Sequence, residues 1–243
     1  MFTVLVSLVL FLALLEFNRM GLGTQRLLEQ RLAALCGAGL LFAVHQQRFE
    51  LLLLLLTLFL LLLALRILFF LPQPDLQQTA PLLGWLSLGL LYLPLLLGHL
   101  VLLRQLDSGR EWIFMTLLAV MACDTFAYFS GVRFGRRKLY PAVSPNKSWE
   151  GAFGGMLGAL GAVLLASWTF LPQLGFGQAL LLGLLLGCLG QIGDLFESLL
   201  KRACGVKDSG TLIPGHGGVL DRLDSLLFAF PVSYYAARYW LGG

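Results

Sequence analysis

The sequence predicts an all-α, polytopic transmembrane bundle of about eight helices. Three observations predict it. Apolar runs recur along the chain, most of them near the roughly 20 residues that a helix needs to cross a bilayer. Only 12% of the 243 residues are charged, against about 25% in an ordinary soluble domain. Mean hydropathy is +0.83, and many of the charges gather in short segments between the runs.

The runs lie at roughly 1–15, 32–46, 51–71, 81–103, 112–132, 151–171, 177–200 and 219–241. The first looks like a signal-peptide core, but it lacks a positive leading region and a small-residue cleavage site, so it reads as a span. The third is almost pure leucine and suits a lipid-facing helix, with Arg66 placed to snorkel toward the interface. The segment after the fifth run carries Arg133, Arg136, Arg137, Lys138 and Lys147, and the one after the seventh carries Lys201, Arg202 and Lys207. Basic loops face the cytoplasm, so both are expected inside, together with the segment holding Arg19, Arg26 and Arg31. Eight spans would then leave both termini outside. The expected organisation is an N-terminal helical scaffold over 1–110 and a C-terminal catalytic region over 111–243, with cytoplasmic loops at 133–150 and 201–218.

The net charge of +4 comes with no basic stripe interleaved with aromatics, so nucleic acid is not expected as a partner. Cys36, Cys123, Cys188 and Cys204 form no CxxC pair, which supports neither a disulfide framework nor a zinc site. His45 and His99 stand alone in apolar stretches and read as structural or cavity-lining.

From Asp124 onward, charged residues enter the apolar runs or their ends. A carboxylate at membrane depth is costly unless it is paired, metal-bound or in a wet cavity, and it is by default a functional candidate. Asp124, Asp194, Glu197, Asp221 and Asp224 all belong to this class. Asp194 and Glu197 are three residues apart, as are Asp221 and Asp224, so on a helix each pair would share a face. Clustered acids repel, and a hard cation such as Mg²⁺, with a second cation as an option, would relieve that through carboxylate and phosphate oxygens. The competing reading is a set of buried ion pairs with Lys201, Arg202 and Arg222. The stretch from Lys207-Asp208-Ser209-Gly210 to His216-Gly217-Gly218 supplies lysine, histidine and glycine, all suited to phosphate oxygens. In Ser144-Pro145-Asn146-Lys147-Ser148-Trp149-Glu150-Gly151, Ser148 reads as a helix start and Lys147 as a phosphate contact.

These residues resemble a known family. Residues 198–224, SLLKRACGVKDSGTLIPGHGGVLDRLD, are similar to the signature of the phosphatidate cytidylyltransferases, or CDP-diglyceride synthases. SPNKSWEG at 144–151, QIGDLFES at 191–198 and the stretch 124–138 extend the resemblance over about the C-terminal half. Two positions depart from the pattern: Phe126, where members often carry glycine, and Ser148, where they often carry threonine. Relatives usually have a further helix before the first one here, which would put their N-terminus inside and makes a truncated start an expectation for this chain.

The resemblance implies that a phosphatidate oxygen attacks the α-phosphorus of CTP and that pyrophosphate leaves. It implies Asp194 and Asp221 as the primary metal ligands, with Asp224, Asp124 and Glu197 in support. Lys201 and Arg222 would act at the reacting phosphates. Lys147, Ser148, Arg202, Lys207, His216, Gly217 and Gly218 would bind substrate, with the diacyl tails left in the bilayer. The implied partners are CTP, phosphatidate and membrane lipid, with a homodimer left open, and the implied setting is a bacterial inner membrane with the site facing the cytoplasm. The rival readings are a CTP-dependent lipid kinase, a secondary transporter using its acids as ion sites, and an inactive scaffold.

Overall fold

A computed structural model describes residues 1–24, 26–70, 76–210 and 217–240. Among the described residues eight α-helices follow one another: α1 (Phe2–Leu22), α2 (Leu27–His45), α3 (Phe49–Leu65), α4 (Leu76–Gln105), α5 (Gly109–Phe134), α6 (Trp149–Thr169), α7 (Phe176–Ala203) and α8 (Asp224–Trp240). A π-helical turn, Arg66–Phe70, continues α3, and a 3₁₀ turn, Leu220–Arg222, precedes α8. Seven of the helices are long and apolar enough to cross a membrane. The eighth, α8, has 17 residues, at the lower end of the spanning range. The chain is an integral membrane protein built as the helical bundle that its hydropathy predicts.

The loop at 133–150 contains a small element that periodicity does not reveal. β1 (Lys138–Tyr140) and β2 (Ser144–Ser148) pair antiparallel, with Lys138 opposite Ser148 and Tyr140 opposite Ser144. The Glu150 carboxylate accepts from the N–H groups of Arg136 and Arg137, which tacks the hairpin's entry onto the start of α6. Ser148 Oγ accepts from Gly151 N at 3.1 Å, the N-cap expected for this helix.

The chain divides into two compact units, one of Met1–Val101 with Asp208–Asp221, the other of Leu102–Lys207 with Arg222–Gly243. In the first, α1 packs on α2 and α2 on α3. Phe17 stacks on Trp85 at 4.5 Å between ring centroids, and Trp85 Nε1 donates to Phe17 O at 3.0 Å. Most of the leucines of α3 are exposed, as a lipid-facing helix requires. Arg66 corrects the snorkelling expectation: its Nε stands 3.2 Å from the carboxylate of Glu29, which is 2% exposed. A buried carboxylate at that depth holds the guanidinium more firmly than the interface would. α1 also runs seven residues past its expected end, through Glu16 and Asn18, both too polar for a hydropathy window to include.

In the second unit, α5 packs on α6, α6 on α7, and α7 and α5 on α8. Small residues set the spacing. A Cβ on Gly155 would stand 2.9 Å from Cys123 O, and one on Gly158 would stand 2.7 Å from Ala122 O, so α6 lies directly against the α5 backbone. Thr116 Oγ1 donates to Trp112 O at 2.7 Å and lies 2.6 Å from Ser233 Oγ, a buried polar link between α5 and α8.

Candidate functional site

The second unit holds a cleft of about 520 Å³. Asp124 from α5, Asn146, Lys147 and Ser148 from the hairpin, and Gln191 and Asp194 from α7 supply its polar lining. Ala127, Tyr128, Val132, Leu139 and Ala152 supply apolar walls. Each polar group is held by its element. Lys147 projects from β2, one residue before the α6 cap. Gln191 Nε2 donates to Gly187 O at 2.8 Å and Ala152 O at 3.1 Å, bridging α7 to α6. Lys147 Nζ lies 2.5 Å from Asp194 Oδ2, with side-chain exposures of 28% and 30%. Ser198 Oγ donates weakly to Asp194 Oδ1 at 3.4 Å.

Asp124, Asp194 and Asp224 interact electrostatically, and Lys147 and Lys201 act on them with opposite sign. Gly193 offers the close approach that its missing side chain suggests: a Cβ there would stand 2.5 Å from Asp224 O, so the bare backbone of α7 admits the first turn of α8. Glu197 sits one turn from Asp194 and is 0% exposed, with Lys201 Nζ 3.1 Å from its carboxylate. Arg202 is exposed, donating Nε to Val143 O at 3.3 Å and Nη1 to Val206 O at 3.1 Å. It thereby ties the end of α7 to the hairpin.

The first unit holds the glycine turn. Asp221 Oδ2 accepts from Gly218 N at 2.7 Å, Ser209 Oγ at 2.9 Å and Ser209 N at 3.0 Å. Gly217 has φ of 81°, the left-handed region that glycine adopts freely, and a Cβ there would stand 2.7 Å from Asp221 Oδ2. The Gly218 N–H is taken by Asp221, so Gly218 offers close approach rather than a free donor. Asp221 belongs to the 3₁₀ turn and Asp224 begins α8, so the two do not share a helical face as their spacing suggested. The reason is local: with Asp221 bound to Ser209 and Gly218, the chain turns there and the helix starts only after it. Lys207 and Arg222 are exposed. His216 lies outside the described residues.

Oxygen donors of the kind a hard cation takes are present. The cleft lining carries two carboxylates, Asp124 and Asp194, against one ammonium, Lys147, so an anionic ligand entering it calls for a compensating cation. Among the described residues no three His, Cys, Asp or Glu side chains converge closely enough to hold a metal by themselves. Mg²⁺ is usually held by one or two carboxylates, water and substrate phosphate, and Asp124 and Asp194 are two such carboxylates. Burial raises the Cys204 thiol above its ordinary range, which suits packing rather than nucleophilic chemistry.

Residues 1–240 match the model of the "Cytidylyltransferase family". Relatives named phosphatidate cytidylyltransferase include one from Bacillus subtilis, 43% identical over 63% of this chain and 57% of the relative. One from Pseudomonas aeruginosa is 44% identical over 65% and 58%, and one from Thermotoga maritima is 37% identical over 66% and 61%. The aligned stretch therefore spans less than two thirds of each of these relatives.

Proposed function

Because the chain belongs to the cytidylyltransferase family, we propose that it makes CDP-diacylglycerol from CTP and phosphatidate at the cytoplasmic face of a bacterial inner membrane. The observation that carries this reading is the amphiphilic cleft: a Lys147–Asp194 pair beside Asp124, continuous with the walls formed by Tyr128, Val132 and Leu139. A lipid phosphate needs both halves, a charged end for the headgroup and an apolar flank for the first carbons of its tails.

In the proposed reaction an oxygen of phosphatidate bonds to the α-phosphorus of CTP. The bond from that phosphorus to the β-bridging oxygen breaks, and pyrophosphate leaves with the electron pair. Such transfers ask the protein for positioning and charge rather than covalent chemistry. Lys147 turns from Asp194 to the lipid phosphate, as a lysine point charge can. Asp194 and Asp124 would hold a divalent cation together with phosphate oxygens, and that cation would supply charge neutralisation at the reacting phosphates. Lys201 stays with Glu197 and acts as a fixed positive charge behind Asp224. Asp221 shapes the turn at Gly217-Gly218, which takes the triphosphate in this reading, and Lys207 and Arg222 are exposed cations of the kind that suits phosphate charge. Ser148 holds the cap that presents Lys147, and Arg202 fixes the hairpin.

The test uses the purified full chain in detergent with phosphatidate and CTP labelled at the α- or the γ-phosphate. Only α-label in the lipid product is expected. γ-Label in lipid would make the chain a CTP-dependent lipid kinase, and label from neither position would remove the enzymatic reading. Lys147→Ala should lower kcat/KM by roughly 10- to 150-fold, the value of one charged hydrogen bond of about 1.5–3 kcal/mol.

A further inference from the structure

Glu16 lies within α1, an apolar membrane helix, where a carboxylate is expensive to keep. No Lys, Arg or His among the described residues forms a salt bridge with it. Its carboxylate faces the segment around the glycine turn instead. Glu16 Oε2 accepts from Leu220 N at 2.9 Å and lies 3.4 Å from Ser209 Oγ, which donates to Asp221 at 2.9 Å. Two glycines make room for it. A Cβ on Gly210 would stand 2.6 Å from Glu16 Oε1, and one on Gly218 would stand 2.5 Å from Glu16 Oε2. The carboxylate therefore touches the chain on both sides of 211–216, at Ser209-Gly210 before it and at Gly218-Leu220 after it.

We propose that Glu16 is a positioning residue: from the first membrane helix it holds Ser209-Gly210 and Gly218-Leu220 together, and so sets the glycine turn for the nucleotide. The inference rests on the reading that this turn takes the triphosphate of CTP. Glu16 acts through the bond it accepts from Leu220 N, its approach to Ser209 and the fit of two glycines, without touching substrate. Asp221 makes the complementary set of bonds to Ser209 and Gly218 from the other side of the turn. The two acids have different tasks in this arrangement. Asp221 closes the turn on itself, and Glu16 anchors the closed turn to the membrane helix.

The experiment compares the wild-type chain with Glu16→Ala, Glu16→Gln and Gly210→Ala, all as full-length protein in detergent. One readout is hydrogen exchange at peptides covering 217–222, and the other is steady-state kinetics with CTP and phosphatidate varied in turn. In Glu16→Ala the Leu220 amide loses its acceptor and should exchange at least about tenfold faster, in proportion to the opened population. KM for CTP should rise about tenfold or more, while KM for phosphatidate stays within about twofold. Glu16→Gln keeps an oxygen acceptor at the same reach and should stay within about threefold of wild type in both readouts. Gly210→Ala keeps Glu16 but pushes its carboxylate away, and should reproduce the Glu16→Ala pattern, which preserves the test if Glu16→Ala does not fold. Unchanged exchange in Glu16→Ala or in Gly210→Ala overturns the proposal, as does Glu16→Gln behaving like Glu16→Ala. A rise shared equally by both substrates also overturns it. If wild type fails to use CTP at all while exchange responds as expected, the anchoring of the turn stands and the nucleotide reading falls.

Discussion

Asp221 separates two roles that the sequence cannot tell apart, and the pair Asp221→Asn and Asp221→Ala reads them independently. Its Oδ2 accepts from Gly218 N at 2.7 Å and Ser209 Oγ at 2.9 Å, with Ser209 N further out at 3.0 Å. Asparagine places a carbonyl oxygen where Oδ2 stands and keeps the two shortest bonds, but without the charge. A hydrogen bond to a charged group is worth about 1.5–3 kcal/mol and a neutral one about 0.5–1.5, so two such bonds weaken by about 2–3 kcal/mol in all. That corresponds to roughly 30- to 150-fold in kcat/KM for CTP. Alanine removes the acceptors altogether and leaves two half-buried N–H groups and a hydroxyl without this partner, at about 1–3 kcal/mol for each one that water does not reach. We expect Asp221→Asn to purify with a melting temperature several degrees below wild type and a loss of about 30-fold or more. Asp221→Ala should lose activity and melt lower still. The assay is CTP incorporation into lipid, with melting followed in the same detergent. An Asp221→Asn enzyme within about tenfold of wild type would refute the reasoning, because the charge would then matter neither to the turn nor to the phosphates.

Three further outcomes follow from the geometry. Lys201→Met removes the cation beside the fully buried Glu197 carboxylate and should destabilise by about 3–5 kcal/mol, with Lys201→Met/Glu197→Gln recovering much of it in a denaturation series. Gly158→Ala forces a methyl group against Ala122 O at the α5–α6 contact and should cost about 1–3 kcal/mol by melting; no change in melting would mean that the helices separate freely. Cysteines placed singly at Tyr140 and Asp208, in a background lacking the native four, should react with an impermeant thiol reagent only after the membrane is opened. Labelling from outside in intact cells would reverse the proposed orientation.

The sequence displayed the helices because a bilayer imposes one strong rule on composition, and seven helices meet it. It displayed the acids for the same reason: Asp124, Asp194, Glu197 and Asp224 are out of place in apolar runs. What stayed hidden depends on partners distant along the chain. Glu16 ends an apolar run where hydropathy stops counting it, and its hydrogen-bond partners lie 193 and 204 residues away. Its one legible sign is that it is an acid amid apolar residues, the test applied to the later acids. The hairpin escaped because strands of three and five residues carry too short a pattern to register. The three-residue spacing of Asp221 and Asp224 suggested a common face, but side-chain bonds to Ser209 and Gly218 outweigh helix propensity there. Arg66 read as an interfacial snorkeler because nothing local identifies Glu29 as its partner.

The acids that looked alike in sequence differ in how easily each can change partner. Releasing Lys201 from Glu197 would take the cation away from a carboxylate with 0% exposure, at a cost of about 3–5 kcal/mol, so that pair resists opening. Among the described residues Asp221 accepts from Gly218 in its own turn and from Ser209, which packs against it, and removing these bonds dismantles the turn. Asp194 and Lys147 are different. Both side chains are about 30% exposed and line the cleft, although the Lys147 ammonium itself is covered. Exchanging that pair for a phosphate and its counter-cation gives each charge a new partner, so it costs less than opening a pair whose charges nothing replaces. A site that must admit a charged headgroup, hold it through one transfer and let the product go needs an ion pair that opens cheaply, backed by pairs that do not open. The cleft has that division of labour, with Lys147–Asp194 at its wall and Glu197–Lys201 one helical turn behind.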